Sequence, residues 1–192
     1  MNASKVLILL HGRGGSPEDM ISLTKYLNVK DYWILAPQAT NHTWYPQSFL
    51  AAVEENEPWL SSALALIGKT VDKAISKGIS QKDIYFLGFS QGACLTTEYI
   101  ARNAKKYGGV VAFTGGLIGE EINLTNYNGQ FEETPIFLGT SNPDFHVPVE
   151  RVHDTTKILT EMGAVVTEKV YEGMGHTISQ DEIDMVNKLI FK

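Results

Sequence analysis

The sequence predicts an α/β fold, a mostly parallel central sheet with helices on both faces. Two observations carry this prediction. Short apolar runs alternate with longer amphipathic stretches along the whole chain, and most of the runs are continuous in Val, Ile and Leu, as in strands buried on both faces. With 43% apolar and 20% charged residues, the chain has the material for a globular core and is not of the disordered class. Its 192 residues suit one domain spanning 1–192, and no repeat, low-complexity tract or linker divides them.

The elements follow in order. The run 6–10 is the first strand. A helix over 16–27 opens on Ser16-Pro17-Glu18-Asp19, which supplies an N-cap, a proline at the first helical position and two acids in the first turn. Strand 33–36 comes next, then an irregular, aromatic-rich segment, 38–56. A long helix over 57–77 stops at Gly78. Strand 84–88 leads into helix 91–107, which ends at Gly108-Gly109. Strand 110–113 precedes a second irregular segment, 120–134. Strand 136–139, helix 149–162 before Gly163, strand 166–171 and helix 179–191 complete the chain. Neither irregular segment reads as core.

Charge and composition exclude several classes. The net charge of −6 argues against nucleic acid or an anionic membrane surface as the main partner, because both attract basic patches. No window approaches the ~18 apolar residues of a membrane span, and the five-residue run 6–10 ends at His11-Gly12, too short for a signal-peptide core. Cys94 is the one cysteine, so no internal disulfide forms, which fits a reducing compartment. A cytoplasmic protein is expected, with a homodimer left open.

The chemistry concentrates at Gly88-Phe89-Ser90-Gln91-Gly92, a G-x-S-x-G between a predicted strand and a predicted helix. Glycines at its first and last positions let strand and helix pack closely around a sharp turn. The turn lifts the serine hydroxyl clear of the sheet at a helix N-terminus, where backbone N–H groups favour negative charge. The bland alternative is a glycine-rich turn that happens to contain a serine. If Ser90 is a nucleophile, its partners also follow strands, because ligands of an open α/β sheet bind at the strands' carboxyl ends.

A serine needs a base, and the base needs a group to orient it. Of five histidines, His176 in Glu172-Gly173-Met174-Gly175-His176-Thr177 sits after the last strand, the base position in the Ser, Asp, His order of α/β-hydrolases. Its alternative role is a polar turn residue or helix cap. His11 follows the first strand and reads as a loop-fixing residue, and His153 falls in a predicted helix, exposed. Asp144 is the only carboxylate in the loop after the fifth strand, so it reads as the orienting acid, against the plain alternative of a turn aspartate. The backbone N–H groups of Gln91 and Arg13 are the expected oxyanion donors. The Arg13 side chain is expected to be solvated or structural rather than to steer an anionic substrate. Trp44, Tyr45 and Phe49 are candidates for the substrate pocket wall, with plain packing as the alternative. Cys94 reads as a small packing residue.

Several ordered motifs together resemble the phospholipase/carboxylesterase family of α/β-hydrolases, which includes the acyl-protein thioesterases. They are Val6 to Leu10 followed by His11-Gly12-Arg13-Gly14-Gly15, then Ala36-Pro37-Gln38-Ala39, Trp44-Tyr45, Gly88-Phe89-Ser90-Gln91-Gly92-Ala93, Asp144-Phe145-His146-Val147-Pro148 and Gly173-Met174-Gly175-His176. The resemblance spans nearly the whole chain. It implies a compact α/β-hydrolase fold with minimal or no lid, hydrolysis of small carboxylic esters or thioesters without cofactor or metal, a triad of Ser90, Asp144 and His176, and oxyanion positions at Arg13 and Gln91. The chain departs from the family at Thr140, where many relatives carry a histidine, and throughout 38–56, which shapes the acyl pocket. The first departure is expected to alter loop support rather than chemistry. The expected reaction is ester hydrolysis through an acyl-enzyme on Ser90. Acyl-thioesterase or lysophospholipase activity with the same triad is the alternative, and a non-enzymatic ligand receptor of this fold is a remoter one.

Overall fold

The computed structural model describes residues 3–192. Six strands form one sheet in the order β2-β1-β3-β4-β5-β6: β1 is Lys5–Leu10, β2 Tyr32–Leu35, β3 Ile84–Phe89, β4 Gly109–Phe113, β5 Pro135–Asn142 and β6 Val165–Glu172. Every pairing is parallel. Among the described residues four α-helices connect strands, α1 Pro17–Leu23, α2 Trp59–Ser76, α3 Gln91–Arg102 and α4 Val149–Glu161, and α5 Gln180–Leu189 follows β6.

The continuous apolar runs are explained by burial on two sides. In β1, Val6, Ile8 and Leu10 join the core made with α2, α3 and α4, while Leu7 and Leu9 join the one made with α1 and α5. Each buried aliphatic side chain contributes about 1.5–3 kcal/mol. The edge strands β2 and β6 are only half-buried.

Three helices end earlier than their sequence patterns predict. The pattern over 16–27 yields only α1, capped by the reciprocal Ser16–Asp19 box, and then a 3₁₀ turn at Thr24–Tyr26. The Thr24 hydroxyl bonds the Ile21 carbonyl, and Leu27 and Val29 turn inward to the core, so the chain leaves the helix axis. The pattern over 91–107 ends at Arg102, because the Asn103 side-chain amide takes the Tyr99 carbonyl and Ala104 pairs instead with the strand-like segment at Gly129. In the last helix, Ile190 and Phe191 break off to fill the core beside Tyr85.

The irregular segments carry core residues, contrary to expectation. Trp44, Tyr45 and Phe49 are 3%, 1% and 6% exposed, and Phe131 is fully buried. Irregular backbone can be buried only if its polar groups find partners. Here they do: the Asn56 side chain accepts from Gln47 N and donates to Ser48 O, and Gln91 and Arg13 serve the neighbouring stretch. Among the described residues no helix is long and apolar enough to cross a membrane.

Candidate active site

The parallel sheet aligns the carboxyl ends of β1, β3, β5 and β6 at one edge. Leu10 is in register with Gly88, Phe89 with Phe113, Phe113 with Gly139 and Asn142 with Glu172. The loops that leave these ends carry the candidate residues.

Ser90 stands between β3 and α3 with φ 53° and ψ −120°, a conformation that L-residues rarely adopt. It is held by Ser90 N donating to Phe113 O at 2.9 Å and by Cys94 N donating to Ser90 O at 3.0 Å. The flanking glycines are required by close approach. A Cβ on Gly88 would collide with the Gly92 backbone and come within 2.6 Å of Thr96 Oγ1. A Cβ on Gly92 would collide with the Leu10 carbonyl and come within 2.6 Å of His11 O. The two glycines let α3 rest against the end of β1.

His176 and Asp144 meet the serine in a continuous chain. His176 Nε2 lies 2.8 Å from Ser90 Oγ, and His176 Nδ1 lies 2.8 Å from Asp144 Oδ2. The Asp144 side chain is fully buried, and its Oδ1 accepts from His146 N at 2.7 Å and Val147 N at 3.0 Å. Burial pushes its carboxyl upward, but the N–H of His146, the His176 imidazole and the N–H of Val147 outweigh it, and the pKa falls below the ordinary aspartate value. Asp144 therefore stays ionised and accepts from Nδ1–H, which leaves the Nε2 lone pair facing the serine hydroxyl. The His176 loop is pinned by Gly175 N donating to Ser141 Oγ at 2.8 Å and Gly173 N donating to Asn142 O at 2.9 Å.

A cavity of about 470 Å³ opens over Ser90. Arg13 and Gln91, the predicted oxyanion residues, line it, as do Tyr45, Phe49, Cys94 and His146. Gln91 is the first residue of α3, next to Ser90. Trp44 is not among the lining residues: its indole N–H donates to His11 O at 2.8 Å and its ring lies against His11, a packing and bracing role. His11 is buried, with Nε2 accepting from Ala39 N and Nδ1 donating to Gly12 O, so it fixes the loop as expected. Its pKa is lowered mainly by burial. His153 lies on an exposed helix face, beside Glu168. Thr140 is fully buried with no hydrogen-bond partner for its hydroxyl among the described residues.

Over residues 1–192 the sequence matches the family model described as Phospholipase/Carboxylesterase. The chain belongs to the phospholipase/carboxylesterase family. It is similar to a phospholipase/carboxylesterase from Dyadobacter fermentans DSM 18053, with 55% identity and a TM-score of 0.99 over 100% of this chain and 91% of that one. Acyl-protein thioesterase 1 of Saccharomyces cerevisiae is 29% identical over 99% of this chain and 93% of its own length. A probable carboxylesterase SOBER1-like of Arabidopsis thaliana is 29% identical over 69% of this chain, which spans only 51% of that relative.

Three features of this phospholipase/carboxylesterase family site escape sequence reading. The His146 ring packs edge-on against His176 with centroids 4.9 Å apart, a contact between loops 30 residues apart in sequence. Ser141 braces the His176 loop through its hydroxyl. The side chains of Arg13 and Gln91 bind the backbone of residues 44–47. A signal existed for a fourth, Cys94: one helical turn after Ser90, it shares that residue's face and joins the cavity wall. Burial pushes the Cys94 thiol up to about 12.

Proposed function

We propose that this chain is a cofactor-independent serine esterase that cleaves small carboxylic esters or thioesters through an acyl-enzyme on Ser90. The observation that carries the reading is the unbroken hydrogen-bond chain Ser90–His176–Asp144, with 2.8 Å at each link. Family membership and the names of the relatives support the esterase or thioesterase class.

The geometry suits the following sequence. His176 Nε2 takes the Ser90 proton as Oγ attacks the acyl carbonyl carbon, and Asp144 stabilises the imidazolium that forms. The carbonyl oxygen becomes an oxyanion at the N-terminus of α3, where the backbone N–H groups of Gln91 and Arg13 are its donors. One such donor is worth about 10²–10³ in rate. His176 then gives its proton to the departing alkoxide or thiolate. Water enters, its oxygen attacks the acyl carbon as His176 takes its proton, and the acid leaves as His176 returns that proton to Ser90 Oγ. Tyr45 and Phe49 form the acyl-side wall, while His146 stands beside the base.

The lone cysteine fits the reducing, cytoplasmic setting expected from the sequence. Replacing Ser90 by Ala is the direct test. Ser90→Ala is expected to abolish hydrolysis of p-nitrophenyl acetate and labelling by a fluorophosphonate, with an unchanged melting temperature. Labelling that persists in the folded variant rules out Ser90 as the nucleophile.

A further inference from the structure

We propose that the Arg13 side chain is a positioning residue: it clamps the acyl-cavity wall onto the oxyanion loop, so that one contact sets both acyl recognition and carbonyl polarisation. The proposal rests on the serine-esterase reading above. Arg13 Nη1 donates to Pro46 O at 2.9 Å and reaches Thr43 Oγ1 at 3.4 Å. Nη2 donates to Tyr45 O at 3.0 Å and to Gln47 O at 2.7 Å. Three successive carbonyls of a non-strand segment thus converge on one guanidinium, whose planar fork of donors a lysine cannot reproduce.

The second oxyanion residue grips the same stretch from the other side. Gln91 Oε1 accepts from Trp44 N at 3.0 Å, and Gln91 Nε2 donates to Tyr45 O at 2.8 Å. Tyr45 O therefore accepts from both residues whose backbone N–H groups are assigned to the oxyanion. Trp44 Nε1 on His11 O and Gly14 N on His42 O fasten the segment further. Residues 45–49 continue directly into the cavity wall. With both Nη groups committed to protein acceptors, Arg13 has little left to offer an anionic substrate. Its charge instead holds the wall and the first βα loop as one body, and a loop that drifts by about 1 Å loses on the order of 100-fold in rate.

The test uses purified full-length Arg13→Ala and Arg13→Lys with p-nitrophenyl esters from acetate to octanoate. Fluorophosphonate labelling at Ser90 in the wild type is the control: its failure removes the serine-esterase reading itself, and its success isolates the clamp. In both variants kcat is expected to fall roughly 10- to 100-fold, with the dependence on acyl length flattened. Millimolar guanidinium is expected to restore kcat in Arg13→Ala, and equal sodium chloride is not. Should Arg13→Ala fail to fold, Arg13→Lys carries the test, since it keeps the charge and loses the fork. The clamp is overturned if folded Arg13→Lys keeps kcat within twofold and an unchanged length profile. It is also overturned if sodium chloride rescues as well as guanidinium.

Discussion

Replacing Asp144 by Asn changes one heavy atom of the side chain and, in the proposed mechanism, turns the His176 imidazole to the wrong tautomer. Asp144 accepts three bonds: Oδ1 takes His146 N and Val147 N, and Oδ2 takes His176 Nδ1. An asparagine has one acceptor oxygen for these sites. Leaving a buried donor unsatisfied costs about 1–3 kcal/mol, so the orientation that strands two backbone N–H groups loses to the one that strands only the imidazole N–H. The amide oxygen takes the Oδ1 position, and the NH₂ group faces His176 Nδ1. That nitrogen must then accept, the imidazole proton moves to Nε2, and an N–H points at Ser90 Oγ where a lone pair is needed. The expected loss in kcat is about 10⁴-fold, or roughly 5 kcal/mol, with the fold intact. Steady-state hydrolysis of p-nitrophenyl acetate measures the loss, and a thermal melt checks the fold. A folded Asp144→Asn enzyme within tenfold of wild-type kcat refutes both the tautomer argument and Asp144 as the orienting acid.

Other outcomes follow from the same contacts. Glu182 is buried in the first turn of α5, where burial raises its pKa although Ser179 N–H and hydroxyl oppose this. A raised folded value means that the wild type loses stability as pH climbs from the ordinary glutamate value, about 4.3, through the higher folded one. The melting temperature of Glu182→Gln relative to wild type is therefore expected to rise between about pH 4 and pH 7.5, and calorimetry that finds it flat or falling contradicts this account. For Asp144 the sign reverses. Its lowered pKa gives stability that is complete above about 3.9 and disappears as pH falls through the lower folded value, so the wild type's advantage over Asp144→Asn shrinks under acid in urea titrations. Gly92→Ala drives a methyl group into the Leu10 and His11 carbonyls and is expected to cost about 2–3 kcal/mol, or roughly 5–10 °C in melting temperature. A shift below 2 °C would mean that α3 and β1 are not in tight contact.

What the sequence reveals most readily is whatever local chemistry dictates. Val6 to Leu10 reads as a doubly buried strand because nothing polar interrupts it, and the capping box at Ser16 states where α1 begins. The positions of Ser90, Asp144 and His176 follow from strand order, since a parallel sheet brings the ends of β3, β5 and β6 together whatever the intervening length. Helix ends set by tertiary competition are harder to see: Asn103 ends α3 only because Ala104 has a partner at Gly129. The burial of Trp44 was illegible for a similar reason. A tryptophan in an aromatic, irregular stretch looks like a pocket wall until the distant Gln91 and His11 are known to satisfy its backbone and indole N–H groups. Arg13 is the extreme case, since its acceptors are carbonyls, present at every residue and without a sequence signature.

Cys94 has a practical consequence for how such a protein would be found. Its residue lies one helical turn after Ser90, yet burial holds its sulfur as a thiol, and only thiolates alkylate readily. Iodoacetamide at neutral pH should leave it untouched, while organophosphorus probes reach the serine above it. If Ser90 is the nucleophile proposed above, an extract pretreated to silence cysteine hydrolases would keep this protein visible to serine-directed profiling, and the signal would report Ser90 alone.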